Sequence, residues 1–252
     1  MVRVAAAVVL ALLVGGCAPD DSAPPPPQAA QLAAVALPPN GAIPAARWHA
    51  LLVEGDNSSP AFANGVDTLR DRLSALGVRD IRVLSAGDPA RPSSSINVRN
   101  ALTALGGDAC LVFVTSHGEE RGVFLRADRR LLGPAVFNQA LTEGCGSAPT
   151  VVVVSACHSG TFINDQTRRP NRIIMTAAAV DRTSFGCGAD DDYTYYDQCL
   201  LQTLDGVATW RELALGTRSC VETLERRLGV RQESRPQIFV GDAVANLRLP
   251  GR

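Results

Sequence analysis

The chain has 252 residues, 46% of them hydrophobic, and a formal net charge of -1 at pH 7. When a non-globular start is set aside, roughly 200 residues remain, which is enough for one domain with a full hydrophobic core. The near-neutral charge gives no electrostatic reason to expect a nucleic-acid partner.

Residues 1–17 have the pattern of a secretory signal. Arg3 supplies the positive start, and the apolar segment 4–14 is too short to span a bilayer comfortably. Small residues stand directly before Cys17 and resemble the lipobox of bacterial lipoproteins, in which the cysteine is lipidated and becomes the mature N-terminus. The resemblance implies a lipid anchor at Cys17. An ordinary signal peptide with a chance cysteine is the alternative.

Residues 18–45 are predicted to be a disordered tether. They are rich in Pro and Ala and include four consecutive prolines, a composition that cannot bury a core. Ala18, and not Asp, follows Cys17, which by the same resemblance favours the outer membrane. We therefore expect a protein of the bacterial cell envelope that is lipid-anchored to the outer membrane and faces the periplasm. Residues 46–252 remain for the folded domain.

Strands and helices alternate along this domain. Short apolar runs rich in β-branched residues predict six strands, at residues 48–53, 80–84, 110–114, 151–154, 172–176 and 236–240. Apolar residues at helical spacing predict five helices, over 61–76, a segment capped by Ser95, a segment opened by Pro134, 195–204 and 210–228. A small hairpin joins 123–125 to 130–132. The alternation predicts an α/β domain with a mostly parallel six-stranded sheet flanked by helices.

The cysteines beyond residue 17 allow disulfides if the protein is exported. Cys110 and Cys145 each stand just before a strand. If those strands are parallel neighbours, both cysteines lie at the same end of the sheet and can bond to each other. Cys199 and Cys220 form a second candidate pair between two helices. If Cys157 stays free, at least one other cysteine is unpaired.

Two predicted strands end in reactive side chains. His117 follows the strand 110–114, and Cys157 follows the four valines 151–154. Neighbouring parallel strands lie about 4.8 Å apart and finish at the same edge, where open α/β sheets place their ligands. A histidine within reach can take the proton of a thiol or stabilise the thiolate. A buried structural cysteine is the alternative for Cys157.

Gly118 follows the histidine directly and has no side chain to keep its N–H away from a substrate carbonyl. That N–H and the N–H of Cys157 can together hold a developing oxyanion. The implied reaction is acyl transfer through a thioester. Water would cleave the thioester in an endopeptidase, and an amine would cleave it in a transamidase. A protein that only binds peptides in the same cleft is the non-catalytic alternative.

These motifs resemble the legumain-type (asparaginyl endopeptidase) cysteine peptidases, which have the caspase-like fold. A strand leading into Ser-His117-Gly118 is followed about 40 residues later by a strand leading into Ala-Cys157-x-Ser-Gly. The likeness continues through 175–187 and 194–196, spans roughly residues 48–242 and is closest to bacterial, often exported members. It implies a caspase-like three-layer sandwich, with His117 as base, Cys157 as nucleophile and Gly118 in the oxyanion hole.

The sequence also departs from legumain. His158 follows the nucleophile where legumain has an acidic residue, and residues 60–64 contain no basic residue to read asparagine. The resemblance therefore does not extend to specificity for asparagine. Few residues follow Val240, and we expect no legumain-type C-terminal prodomain.

Three residues are candidates for the substrate pocket. His158 is either a pocket residue or a solvated neighbour of the nucleophile. Ser184, with Thr183, can offer hydroxyl or backbone contacts to a bound peptide. Asp197 is a pocket candidate because the family has an acidic residue near this point. A surface helix residue is its alternative.

No metal or other cofactor is expected. A zinc site built from His117, Cys157 and His158 has suitable ligand types, but no further ligand is evident. The aspartates 190–192 can bind calcium in principle, although a solvated loop is the simpler interpretation. The expected partner is a peptide or protein substrate, and the sequence leaves the oligomeric state open.

Overall fold

The computed structural model describes residues 1–2, 37–38 and 41–252. Cys17, the rest of the signal peptide beyond its first two residues, and most of the predicted tether lie outside these residues, so the lipid anchor stays a prediction. Within the described part, no helix is long and apolar enough to cross a membrane.

The described residues form nine strands and five α-helices. The strands are β1 (Trp48–Glu54), β2 (Asp80–Ser85), β3 (Ala109–Thr115), β4 (Gly118–Glu119), β5 (Gly122–Leu125), β6 (Arg130–Leu132), β7 (Thr150–Ser155), β8 (Arg172–Thr176) and β9 (Gln237–Val240). The helices are α1 (Pro60–Ala75), α2 (Ser95–Thr103), α3 (Pro134–Cys145), α4 (Tyr195–Leu204) and α5 (Trp210–Leu228). The predicted sheet strands and helices are all present.

Six strands form the central sheet in the order β2-β1-β3-β7-β8-β9. The first five are parallel, and β9 runs antiparallel to β8 at the outer edge. The two middle strands, β3 and β7, are buried along their whole length. This burial explains their unbroken apolar runs, because strands covered on both faces need no polar alternation. The prediction of a mostly parallel six-stranded sheet is confirmed.

Helices cover both faces of the sheet. Successive residues of a strand point to opposite faces, so Leu111 and Phe113 of β3 pack in one hydrophobic core and Val112 and Val114 in the other. The first core includes side chains of α1, α4 and α5, and the second those of α2 and α3. The domain is therefore a three-layer α/β/α sandwich.

A second, antiparallel sheet has the order β4-β5-β6 and directly follows His117. Its β5–β6 hairpin agrees with the prediction. The strand β4 is not predictable from the sequence, because two residues without an apolar pattern carry no strand signal. The N–H of Phe124 in β5 donates to the carbonyl oxygen of His117 at 2.9 Å, so this small sheet supports the histidine loop.

Two details differ from the sequence prediction. Ser94, not Ser95, caps α2, since its hydroxyl accepts from the N–H of Asn97 at 3.3 Å. Ser95 is the first helical residue, and its N–H donates to Asp128 at 2.9 Å. Leu37 and Ile43, which fall within the predicted tether at residues 18–45, pack against the first core.

Both predicted disulfides are present. Cys110 at the start of β3 is bonded to Cys145 at the end of α3, and Cys199 of α4 is bonded to Cys220 of α5. Cys157 stays free, as does one further cysteine, Cys187, among the described residues. The first disulfide lies at the amino ends of β3 and β7, at the opposite end of the sheet from Cys157.

Candidate active site

The carboxyl ends of β3 and β7 bring the two reactive residues to one edge of the sheet. Thr115 pairs with Ser155 in the parallel register, and the N–H of Ser116 donates to the carbonyl oxygen of Ser155 at 3.1 Å. His117 and Cys157 each come two residues after this last pair. Their loops therefore leave neighbouring strands at the same level, as the sequence predicted.

The backbones of the two loops are in direct contact at Gly118. A Cβ atom on Gly118 would lie 2.3 Å from the carbonyl oxygen of Cys157 and 2.9 Å from the Cβ of Ala156. No larger residue fits without moving one loop. The absent side chain is thus what allows the histidine loop to pack against the cysteine loop.

The loop after Cys157 is held by the segment that follows β8. His158 has a left-handed backbone (φ 56°), its N–H donates to the carbonyl oxygen of Arg182 at 2.7 Å, and its Nδ1 lies 2.8 Å from the carbonyl oxygen of Val180. A Cβ on Gly160 would lie 2.6 Å from the nitrogen of Val180. These contacts fix the position of Cys157 from its C-terminal side.

His158 also borders an open cavity of about 360 Å³ whose other lining residues are Gly118, Glu119, Glu120 and Arg121. Its side chain is half-buried. The structure therefore places His158 beside the reactive pair, on the wall of a cavity.

The Cys157 sulfur lies against Ser184. The N–H of Ser184 donates to Sγ at 3.3 Å, and the hydroxyl and carbonyl oxygens of Ser184 each lie 3.7 Å from it. The N–H of Cys157 itself has no hydrogen-bond acceptor in the described part of the chain. It is free to receive a substrate oxygen.

His117 is half-buried and is contacted by the loop between β1 and α1. Its Nε2 lies 3.4 Å from the Ser58 hydroxyl. The ring of Phe62 meets the imidazole edge to face, with ring centroids 5.2 Å apart and an interplanar angle of 80°. Sequence reasoning missed both residues, although β1 precedes them and neighbours β3 in the sheet, which places them near the same edge.

Asp197 does not lie on the surface of the cleft. It is fully buried at the start of α4, where Oδ2 accepts from the Thr115 hydroxyl at 2.7 Å and its own N–H donates to Thr194 Oγ1 at 3.0 Å. Its Oδ1 has no partner within the described residues. Burial raises the pKa of the carboxyl to about 6, against the opposing effect of hydrogen bonds that include the one from Thr115. The alternative of a surface helix residue is wrong.

Cys187 lies in a loop beside the site. Burial raises the pKa of its thiol, and the neighbouring Cys157 and Asp191 act in the same direction. The hydroxyl of Ser59 donates to the carbonyl oxygen of Gly188 at 2.8 Å, which joins this loop to the one before α1. The described residues contain no group of three or more His, Cys, Asp or Glu side chains able to hold a metal ion.

Comparison with known proteins gives a family match and similar solved structures. The model of the family described as "Peptidase C13 family" matches residues 83–205, which include His117 and Cys157. Among solved structures, caspase-1 from Spodoptera frugiperda is similar, with a TM-score of 0.58 and 15% identity over 77% of this chain and 86% of that chain. No curated protein matches the sequence. The structural match shows a caspase-like fold, as the sequence analysis expected.

Proposed function

We propose that the chain is a legumain-type cysteine peptidase in which Cys157 is the nucleophile and His117 the general base. The Peptidase C13 family match over residues 83–205 and the caspase-like fold support this proposal. The contact between Gly118 and the Cys157 carbonyl, which leaves no room for a Cβ atom, is the observation that carries this proposal. It supports a shared site at the ends of β3 and β7 and makes an accidental arrangement of an isolated histidine and cysteine a poor explanation.

The reaction begins when His117 takes the thiol proton of Cys157 and the thiolate sulfur attacks the carbonyl carbon of a peptide bond. The oxyanion that forms accepts hydrogen bonds from the N–H groups of Cys157 and Gly118. His117 returns the proton to the leaving amine, the carbon–nitrogen bond breaks, and a thioester to Cys157 remains. Water, deprotonated by His117, then attacks the thioester, the carbon–sulfur bond breaks and the carboxylic acid product leaves. The Cys157 thiolate takes the proton back from His117, which restores the thiol.

In the structure, the Cys157 sulfur is hydrogen-bonded to Ser184 and not to His117. Catalytic hydrogen bonds often tighten only when substrate is bound. In this proposal, peptide entering the cleft contacts Ser184, and the sulfur turns toward His117. Ser184 and His158 then flank the bound peptide on either side of the nucleophile.

The experiment for this proposal is a cleavage profile on a peptide library, with Cys157→Ala and His117→Ala as inactive variants and Cys187→Ala as the matched control for a second free thiol. We expect each of these two variants to lose at least a thousandfold in kcat/KM, because His117 and Cys157 act together as a catalytic dyad. Cleavage by Cys157→Ala at the wild-type rate would show the mechanism to be wrong. Product masses with and without an added amine separate hydrolysis from transamidation.

We further propose that the enzyme is lipid-anchored at Cys17 to the outer membrane and faces the periplasm. The lipobox-like residues before Cys17 support the anchor. The two disulfides of the folded domain support an oxidising compartment, because such bonds are rare in reducing cytosol.

A further inference from the structure

The hydroxyl of Ser58 is hydrogen-bonded to the imidazole of His117. Ser58 lies in the loop between β1 and α1, and its hydroxyl is 3.4 Å from Nε2 of the imidazole. Because this contact occupies Nε2, Nδ1 is the ring nitrogen left to receive a proton from Cys157. A hydrogen bond to the Ser58 hydroxyl can therefore determine which ring nitrogen of His117 carries the hydrogen.

The loop that contains Ser58 is held by an ion pair between the buried Asp56 and the partly exposed Arg126. Asp56, whose side chain is 1% exposed, accepts at Oδ1 from the N–H of Ser58 and from Nε of Arg126, both at 2.7 Å. Burial acts to raise the pKa of the Asp56 carboxyl, but the hydrogen bonds from Arg126 and Ser58 outweigh it and hold the pKa below its usual range. Asp56 therefore remains a charged anchor for the Ser58 backbone.

The loop that contains Asp56 is also hydrogen-bonded to β3, the strand before His117. The N–H of Arg126 donates to the carbonyl oxygen of Gly55 at 2.8 Å, and the N–H of Gly55 donates to Thr115 at the end of β3 at 3.0 Å. A Cβ on Gly55 would lie 2.6 Å from the Ser116 hydroxyl, so this junction is tightly packed. The loop of Ser58 and the loop of His117 are consequently held as one unit.

We propose that Ser58 is a positioning residue for the base: its hydroxyl oxygen accepts the Nε2–H of His117 and keeps Nδ1 free of hydrogen and directed to Cys157. A hydroxyl oxygen can accept from the neutral ring and from the imidazolium alike, so the contact persists when His117 gains the thiol proton. Phe62, which is 1% exposed, packs edge to face against the imidazole of His117 and hinders its rotation. This inference rests on the proposed role of His117 as the base.

The test compares Ser58→Ala and Ser58→Thr. Loss of one hydrogen bond to the base is expected to lower kcat roughly three- to tenfold with little change in KM, and the threonine hydroxyl should restore most of the rate. Ser59→Ala is the matched control, since that neighbouring hydroxyl bonds Ala61 and Gly188 and not His117. It should lower the melting temperature and leave kcat near the wild-type value.

A second readout does not depend on turnover. The chain has 3 histidines, so the imidazole ¹⁵N resonances can be assigned, with His117→Ala identifying that ring. We expect the Nε2–H tautomer for His117 in the wild type and in Ser58→Thr, and a mixture of tautomers in Ser58→Ala. A wild-type tautomer together with a wild-type kcat in Ser58→Ala would overturn the positioning role of Ser58 and leave the proposed base intact. Full activity of His117→Ala would instead overturn the proposed base, and this inference with it.

Discussion

At the scale of single residues, the site depends on backbone contacts more than on side-chain hydrogen bonds. Gly118 lets two loops touch, the left-handed backbone of His158 turns the chain after the nucleophile, and Ser184 holds the sulfur. All three positions are candidates from the sequence, but only as an oxyanion-hole residue or as pocket residues, and not for these backbone contacts. The turn at His158 could not be predicted, because histidine rarely adopts a positive φ and the sequence gives no sign of it.

Asp197 gives the first prediction, which concerns stability. Its folded-state pKa of about 6 lies above the value of about 3.9 for an unfolded chain, so burial of the charged form opposes folding. This penalty is absent below pH 4, grows as the pH rises from 4 to 6 and is complete above 6, where it amounts to about 3 kcal/mol. Asp197→Asn should therefore gain stability relative to the wild type across that range.

Urea unfolding of both proteins at several pH values between 4 and 7 measures the difference. The exposed Asp190 gives the matched control, as Asp190→Asn. If the difference between the wild type and Asp197→Asn were the same at every pH, the carboxyl would not be titrating in the folded protein as described.

At the scale of secondary structure, the apolar pattern is sufficient to predict the strands of the central sheet but not the contacts between loops. The strands β3 and β7 were predictable because full burial requires an unbroken apolar run. The strand β4 and the contact between Ser58 and His117 were not, because both depend on which loops meet at the edge of the sheet. Asp197 is a pocket candidate by family resemblance, and its burial against Gly65 and Thr115 could not be read from the sequence.

The disulfide between β3 and α3 gives a prediction at this scale. Closing a loop with a sequence separation of 35 residues stabilises a domain by about 3–4 kcal/mol in the chain-entropy account. Replacing Cys110 and Cys145 together by alanine should lower the free energy of unfolding by about that amount. Since the bond lies at the end of the sheet remote from Cys157, kcat/KM of the folded variant should stay near the wild-type value.

Denaturant titration and peptide cleavage on the same preparation measure both quantities. The pair Cys199→Ala and Cys220→Ala, in α4 and α5, is a matched comparison, with a sequence separation of 21 residues. A variant of the first pair that folds stably but has lost cleavage would contradict the separation of the disulfide from the site.

At the scale of the whole molecule, a caspase-like domain is proposed to work at the end of a Pro/Ala-rich tether. The residues that would carry the anchor lie outside the described structure, so the proposal depends on the sequence around Cys17 alone. Cys17→Ser should stop incorporation of a fatty-acid label in bacterial cells and move the protein from the membrane fraction to the soluble periplasmic fraction. Membrane association and labelling that survive the substitution would exclude the lipoprotein assignment.

The most direct test of the central claim is covalent labelling by a peptide that carries a thiol-reactive electrophile, followed by intact mass and peptide mapping. We predict one label per chain, on Cys157, formed much more slowly in His117→Ala and absent in Cys157→Ala. Cys187, the other free thiol of the described chain, should stay unlabelled at the same dose. Labelling of Cys187 in place of Cys157, or equal rates with and without His117, would contradict the proposed dyad.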